Sequence, residues 1–384
     1  MHEAEAAGFA LGDSAMEIKA VVVVGSGPAG AALAEIFIQR GFQVRIYDDF
    51  KDSLNVALAK IKWSLSVAGT PELFANVEGI QDLAKFKGAD VVIESAPRDI
   101  EERKLFFSKL SASAEPSFMV AANCAVTPLK SLLENINFPK EKVVGFNFSR
   151  PVRSNQLVEL VRTEHTTDEV IDACLDFLRK TGKTPIVVKD SPGQIIERLL
   201  RPLIINSFKA LESGRGRPQE IDAAFREVGQ LPFGPFETLD FIGLDEDYKA
   251  SLEIYAALGS PERLAPSATE LRLVQYGQLG RKSTIGLYIY EEGKIVGENP
   301  ILPNVVKYLG LRQTSKEDVF SQILAPVVEE ARLLAAEIMA SEYDIETAVK
   351  LGLGWPKGPF SYGRDMAHLL KKKEVSEFDN LDLY

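Results

Sequence analysis

The sequence predicts an α/β domain with a parallel sheet, followed by an all-α region, and three observations carry that reading. An apolar run, Ala20-Val21-Val22-Val23-Val24, leads directly into a glycine-rich turn and then into a second apolar stretch. Short β-branched runs alternate with helix-length segments as far as about Lys189. Beyond Asp190-Ser191-Pro192-Gly193 the apolar residues recur at helical spacing, and one block of that helical pattern occurs twice.

The turn is Gly25-Ser26-Gly27-Pro28-Ala29-Gly30, and the helical stretch after it runs Ala31-Ala32-Leu33-Ala34-Glu35-Ile36-Phe37. The next apolar run ends in Asp48. Strand, glycine turn, helix, strand and terminal acid in this order make a dinucleotide-binding βαβ unit. Gly25 permits a tight turn out of the strand, and Gly27 lets backbone approach a pyrophosphate seated on the helix N-terminus. Gly30 allows helix and strand to pack closely, while Ser26 and Ala29 complete the loop. Asp48 suits the two ribose hydroxyls of NAD and repels a 2′-phosphate, which selects NAD over NADP. The plainer reading of Asp48 and Asp49 is a solvated turn after the strand.

Further runs at Gln43–Tyr47, Asp90–Ile93, Ser117–Ala121, Lys142–Phe148 and Pro185–Val188 continue the alternation. They imply a Rossmann-type doubly wound parallel sheet with helices on both faces. In the helical region Ile195, Ile196, Leu199, Leu200 and Leu203 share a face. The interval from Pro202 to Pro235 is repeated from Pro326 to Pro359. At this constant offset Ile221 matches Ile345, Ala224 matches Ala348, and Pro232-x-Gly234-Pro235-Phe236 matches Pro356-x-Gly358-Pro359-Phe360. The expected organisation is an N-terminal extension (1–18), the sheet domain (19–191), a first helical copy (192–290), an irregular linker (291–315), a second copy (316–370) and a tail (371–384). Phe208, Phe233, Phe236 and Phe241 read as helical core.

Composition narrows the function. The 384 residues carry a formal net charge of -11, which opposes a general role on nucleic acid or on an anionic membrane surface. No apolar run is long enough to span a bilayer. The start lacks the basic and apolar segments of a secretion signal. Two cysteines in apolar surroundings, Cys124 and Cys174, fit a reducing, cytoplasmic setting. Three scattered histidines, His2, His165 and His368, show no metal cluster.

Several stretches together resemble the 3-hydroxyacyl-CoA dehydrogenase family, from Ala20 to about Leu370. They are VVVVGSGPAG, ADVVIESAPRDIEERK, VGFNFSRPVRSNQLVELVR, KDSPGQIIERLLRP, LPFGPFETLDFIGLD and YGQLGRKSTIGLYIY. The resemblance implies an NAD-dependent dehydrogenase acting on an acyl thioester. The second helical copy is similar to the dehydrogenase portion of multifunctional fatty-acid oxidation proteins. That likeness implies a monomer in which the second copy takes the place of a dimer partner. Among cofactor positions, Glu94 and Asn123 match the family, and Arg103 stands where the family has a lysine.

The family's catalytic histidine is polarised by a glutamate twelve residues later. The glutamate matches Glu159, but counting back twelve reaches Asn147, whose amide does not titrate in the useful range. Ala125 stands at the family's substrate-contacting serine, Glu197 at its asparagine after Pro-Gly, and Arg150 at the asparagine before Pro151. These changes leave three readings. In the first, a working oxidoreductase moves its proton through water and Glu159 or Glu197. In the second, a catalytically impaired relative binds NAD or acyl-CoA and acts through a partner. In the third, the GSGPAG loop belongs to an FAD-binding protein. The arginines Arg98, Arg103, Arg150, Arg153 and Arg162 crowd the same stretches. Of these, Arg150 and Arg153 suit a substrate carboxylate or CoA phosphates, or else form a solvated basic edge.

Overall fold

A computed structural model describes residues 16–95, 99–113, 117–134, 138–306, 314–338 and 340–367. Arg98, His2, His368, most of the N-terminal extension and the tail fall outside the described residues. Strand β1 (Ala20–Val24) is built from β-branched valines whose stiff side chains favour a pleated backbone. Val21 to Val24 are fully buried, as expected of a strand covered on both faces. Helix α1 (Pro28–Gln39) starts with Pro28 at its first turn, where a missing N–H costs nothing. It is followed by β2 (Gln43–Tyr47), α2 (Lys51–Val67) and β3 (Val77–Ile80). The chain continues through β4 (Val91–Glu94), α3 (Ile100–Ser113), β5 (Met119–Ala122), the short α4 (Leu129–Leu132), β6 (Val143–Phe148), β7 (Leu157–Arg162), α5 (Asp168–Lys180) and β8 (Thr184–Lys189).

The strands form one eight-stranded sheet in the order β3-β2-β1-β4-β5-β6-β7-β8. Neighbours from β3 to β6 pair in parallel, and β7 reverses against β6. The mostly parallel doubly wound sheet predicted from the alternation is therefore present. β3 is an addition, four residues long with Gly79 inside it, too short to stand out as a run.

Packing divides the chain into two compact units, residues 1–123 with 132–185, and residues 124–131 with 186–384. The second contains α6 (Ile196–Glu212), α7 (Pro218–Glu227), α8 (Pro235–Ile242), α9 (Leu244–Ala257), α10 (Ala268–Gln275), the hairpin β9 (Tyr288–Glu291) and β10 (Lys294–Glu298), α11 (Leu302–Val305), α12 (Lys316–Ile338) and α13 (Glu342–Leu353). A last helix runs over 359–367. The stretch expected to be irregular linker thus carries the second strand of a hairpin and a short helix.

The repeat is structural as well as textual. α7 begins at Pro218 and α13 at Glu342, at the same offset that relates Pro202 inside α6 to Pro326 inside α12. Asp222 accepts the backbone N–H groups of Phe236 (2.9 Å) and Glu237 (3.0 Å), capping α8. Its counterpart Glu346 accepts those of Gly358 (3.1 Å) and Ser361 (3.0 Å), at the start of the last helix. A side chain at Gly234 or Gly358 would collide with the capping carboxylate in each copy.

The two copies pack on one another through α6, α7 and α12. Phe225 meets Phe320 at 5.0 Å between centroids, and Arg198, buried on α6, donates to Glu330 (2.6 Å) and Glu337 (2.8 Å) on α12. Phe208 and Phe236 are buried as expected. Phe233 and Phe241 are not: they are 61% and 58% exposed, a correction to the reading of all four as core. Phe233 lies in the turn before α8, and Phe241 sits on its solvent side, where Arg281 packs over the ring.

Candidate functional site

The first unit places its candidate residues along one edge of the sheet. Gly25 follows β1, Asp48 follows β2, Glu94 ends β4, Asn123 follows β5, and Asn147 lies near the end of β6. All five strands run parallel, so these positions share the carboxyl edge where α/β sheets bind ligands. Three strand spacings separate β1 from β6, about 14 Å.

Gly25 has φ 101, in the region that strongly favours glycine, and its N–H donates to Tyr47 O at 2.8 Å. A Cβ on Gly30 would lie 1.9 Å from Gly25 O, so helix and turn can meet only with glycine there. A Cβ on Gly27 would meet nothing within 4 Å, so this glycine faces open space. Gly27 is the N-cap of α1, with no side chain capping the helix. The opening therefore faces free amides and the positive end of a twelve-residue helix. Asp48 Oδ2 accepts from Ser26 N (2.8 Å) and Ser26 Oγ (2.6 Å), and its Oδ1 accepts from Phe50 N (3.0 Å). The Asp48 carboxylate is thus tied to the glycine loop, and these residues fit a dinucleotide.

Glu94 and Arg103 are buried and bonded to each other through Nε and Nη2, both at 2.7 Å. Glu94 also accepts from Asn123 N (3.1 Å), and Arg103 donates to Asn123 O. A bidentate pair of this kind fixes the ends of β4 and β5. Arg153, expected to be available to a substrate carboxylate, instead engages Glu35 of α1 bidentately, at 2.5 and 2.7 Å. Glu35 is buried and also accepts from Ser64. An acid alone among the apolar residues of α1 was the sequence signal for this pairing. Arg150 is exposed, and Arg162 pairs with Asp168 (2.9 Å).

Asn147 and Glu159 are register partners in the antiparallel β6–β7 pair, which is why a twelve-residue interval brings them face to face. Asn147 Nδ2 donates to Glu159 Oε2 at 2.5 Å, with Glu159 fully buried and Asn147 9% exposed. In the second unit, Glu197 opens α6 and accepts from Arg201 Nη2 at 3.2 Å. Arg201, buried, also bonds Asp247 through both terminal nitrogens (2.9 and 2.7 Å). Ala125 lies in the 124–131 segment, which Asp190 anchors by accepting from the N–H groups of Leu129 and Lys130, both at 2.8 Å. Cys124 and Cys174 are both buried thiols, and burial pushes Cys174 up to about 12. Among the described residues no helix is long and apolar enough to cross a membrane.

A doubly wound sheet with this glycine loop and carboxyl-edge acid defines an NAD-binding oxidoreductase fold. The chain belongs to the 3-hydroxyacyl-CoA dehydrogenase family. Residues 20–191 match the family's NAD-binding domain and residues 193–290 its C-terminal domain. It is 30% identical over 73% of its length to the 3-hydroxyadipyl-CoA dehydrogenase of Escherichia coli K12, of which it spans 62%. It is also 30% identical over 90% of its length to the fatty acid oxidation complex subunit alpha of Vibrio campbellii, of which it spans half. The (S)-3-hydroxybutyryl-CoA dehydrogenase of Ralstonia eutropha superposes with a TM-score of 0.68 at 27% identity, over 72% of this chain and all of that one. The 3-hydroxybutyryl-CoA dehydrogenase of Escherichia coli K12 shares the fold over 91% of this chain and 92% of that one, at a TM-score of 0.80 and 24% identity.

Proposed function

We propose that this protein is an NAD-dependent oxidoreductase acting on a β-hydroxy or β-keto acyl thioester, or a related hydroxy acid. In its site an asparagine–glutamate pair replaces the family's histidine–glutamate pair. The observation that carries the proposal is the bond from Asn147 Nδ2 to Glu159 Oε2, on the same sheet edge as an intact dinucleotide loop. NAD supplies the hydride acceptor. The protein's own residues hold it: the amides at the start of α1 take the pyrophosphate, and Asp48 takes the ribose hydroxyls.

Asn147 orients the reacting oxygen through its amide while Glu159 fixes the amide's rotation. The proton leaves through water to a carboxylate, for which Glu159 is the candidate in the same unit, because the asparagine cannot carry it. Arg150, exposed just after β6, is a candidate for the charged end of the acyl carrier. The same bond favours a second reading, in which turnover is lost and the protein binds NAD or acyl-CoA for a partner.

The packing of α12 on α6 and α7 supports a monomer in which the second helical copy covers the face that a dimer partner would otherwise occupy. The two buried thiols fit a cytoplasmic, reducing location. A single-turnover experiment separates the two functional readings. Protein loaded with NADH is mixed with acetoacetyl-CoA or a 3-oxo dicarboxylic acyl-CoA, and absorbance of the reduced nicotinamide is followed. Slow oxidation of NADH is expected, and tight NADH binding without any oxidation favours the second reading.

A further inference from the structure

Phe50 is 72% exposed, although a large aromatic ring loses favourable burial by facing water. It is the N-cap residue of α2, in extended conformation, and stands two positions after Asp48. Its place is held from both sides. Its N–H donates to Asp48 Oδ1 at 3.0 Å, and its carbonyl accepts from Leu54 N at 3.1 Å. The carboxylate that binds Phe50 is also clamped by Ser26 in the glycine loop. Asp49 is fixed in turn by Tyr47, whose hydroxyl donates at 2.6 Å, and by Gln81, which donates to its carbonyl at 3.2 Å.

A residue and its second neighbour in an extended chain are separated by about 7 Å. In an adenosine the base hangs from the carbon next to the one bearing the 2′-hydroxyl. A ribose held on Asp48 therefore projects its base over a span of the same order. Every nucleobase has a π-face, and an exposed ring on a fixed backbone is the platform it stacks on.

We propose that Phe50 is the adenine platform of this protein, fixed by the same Asp48 carboxylate that reads the ribose. The assignment rests on NAD occupying the glycine loop, and it stands whether or not turnover occurs. Ribose and base recognition are then coupled through one side chain. The adenosine half of the cofactor gains from Phe50, while the nicotinamide half is indifferent to it.

Calorimetric titration of the full chain with NADH, ADP-ribose and reduced nicotinamide mononucleotide tests this. Phe50→Ala should weaken NADH and ADP-ribose roughly five- to a hundredfold and leave the mononucleotide unchanged. Phe50→Trp, which keeps an aromatic face, should retain near wild-type affinity for all three. Wild-type affinity for NADH in Phe50→Ala would overturn the assignment, and so would a parallel loss of the mononucleotide. A wild-type protein that binds neither NADH nor ADP-ribose would overturn it together with the NAD reading. Equal NADH binding by wild type and Phe50→Ala would overturn the platform alone.

Discussion

Asn147 and Glu159 face one another across β6 and β7, the amide of one donating to the buried carboxylate of the other at 2.5 Å. An amide, which cannot accept a proton, thus faces the buried carboxylate. A positioned base contributes roughly a hundred- to ten-thousandfold to rate, so wild-type oxidation of 3-hydroxybutyryl-CoA should be very slow. Asn147→His should raise that rate measurably, by a partial rescue. Steady-state nicotinamide absorbance checks this. No gain in Asn147→His, or family-like rates in wild type, would move the base elsewhere. Full activity in Glu159→Gln would then remove Glu159 as well.

Gly27 faces open space at the mouth of α1. A bulky side chain there should fill the pyrophosphate position without disturbing the core. Gly27→Leu should abolish the thermal stabilisation by NADH while leaving the unliganded melting temperature nearly unchanged. Equal NADH binding in the two proteins would remove the loop from the cofactor site.

With NAD in the glycine loop as proposed, the Asp48 carboxylate would repel a 2′-phosphate by its charge. Asp48→Ala should narrow the preference for NAD over NADP by at least tenfold, about 1.4 kcal/mol. It should also loosen the glycine loop, since Ser26 loses its acceptor. Titration with both cofactors measures this, and a wild-type preference for NADP would contradict it.

Local patterns in the sequence explain which features were legible. β1 was visible as a continuous apolar run, and β2 and β6 as short runs rich in β-branched and aromatic residues. The interval between Asn147 and Glu159 was readable because an antiparallel pair makes it a register. Arg153 and Glu35 were opaque because they lie 118 residues apart and meet only when the loop after β6 reaches α1. Phe233 and Phe241 follow a helical apolar pattern, yet the partner surface that decides their burial is not local. The hairpin at Tyr288–Glu298 is held by Asp240, which accepts from Leu287 N (2.9 Å) and Tyr288 N (3.0 Å) at a distance no spacing rule reaches.

Two buried aspartates make stability depend on pH. Burial pushes Asp222 up to about 7 and Asp240 up to about 6, against the hydrogen bonds each accepts. Their ordinary values lie near 4. Between about pH 4 and 7 the folded protein holds protons that the unfolded chain has released, so stability falls as pH rises through that window. Above about 7 the penalty is complete, and below about 4 it is absent. Denaturant unfolding at pH 5 and pH 7.5 should show the wild type more stable at the lower value from this pair. Asp222→Asn should flatten the difference whatever its absolute stability, and an unchanged slope in that variant would remove Asp222 as the source.

The proposed monomer rests on the contact between α6 and α12. Arg198 is buried and its partners Glu330 and Glu337 both come from the second copy. Glu330 also takes Arg263, at 2.7 Å. Removing one side of a buried pair leaves an uncompensated charge and costs about 3–5 kcal/mol. Glu330→Ala leaves Arg198 with Glu337 alone and should destabilise by up to that order, whereas a joint Arg198→Met, Glu330→Met replacement should recover much of the loss. Truncation from Ser315 goes further, stripping Phe225 of its contact with Phe320 and leaving Arg198 without either carboxylate. The exposed apolar face should then drive self-association or aggregation. Sedimentation of the full chain should give a monomer at micromolar concentration. A stable full-length dimer, or a truncated chain that stays monomeric and folded, would show that the second copy does not substitute for a partner.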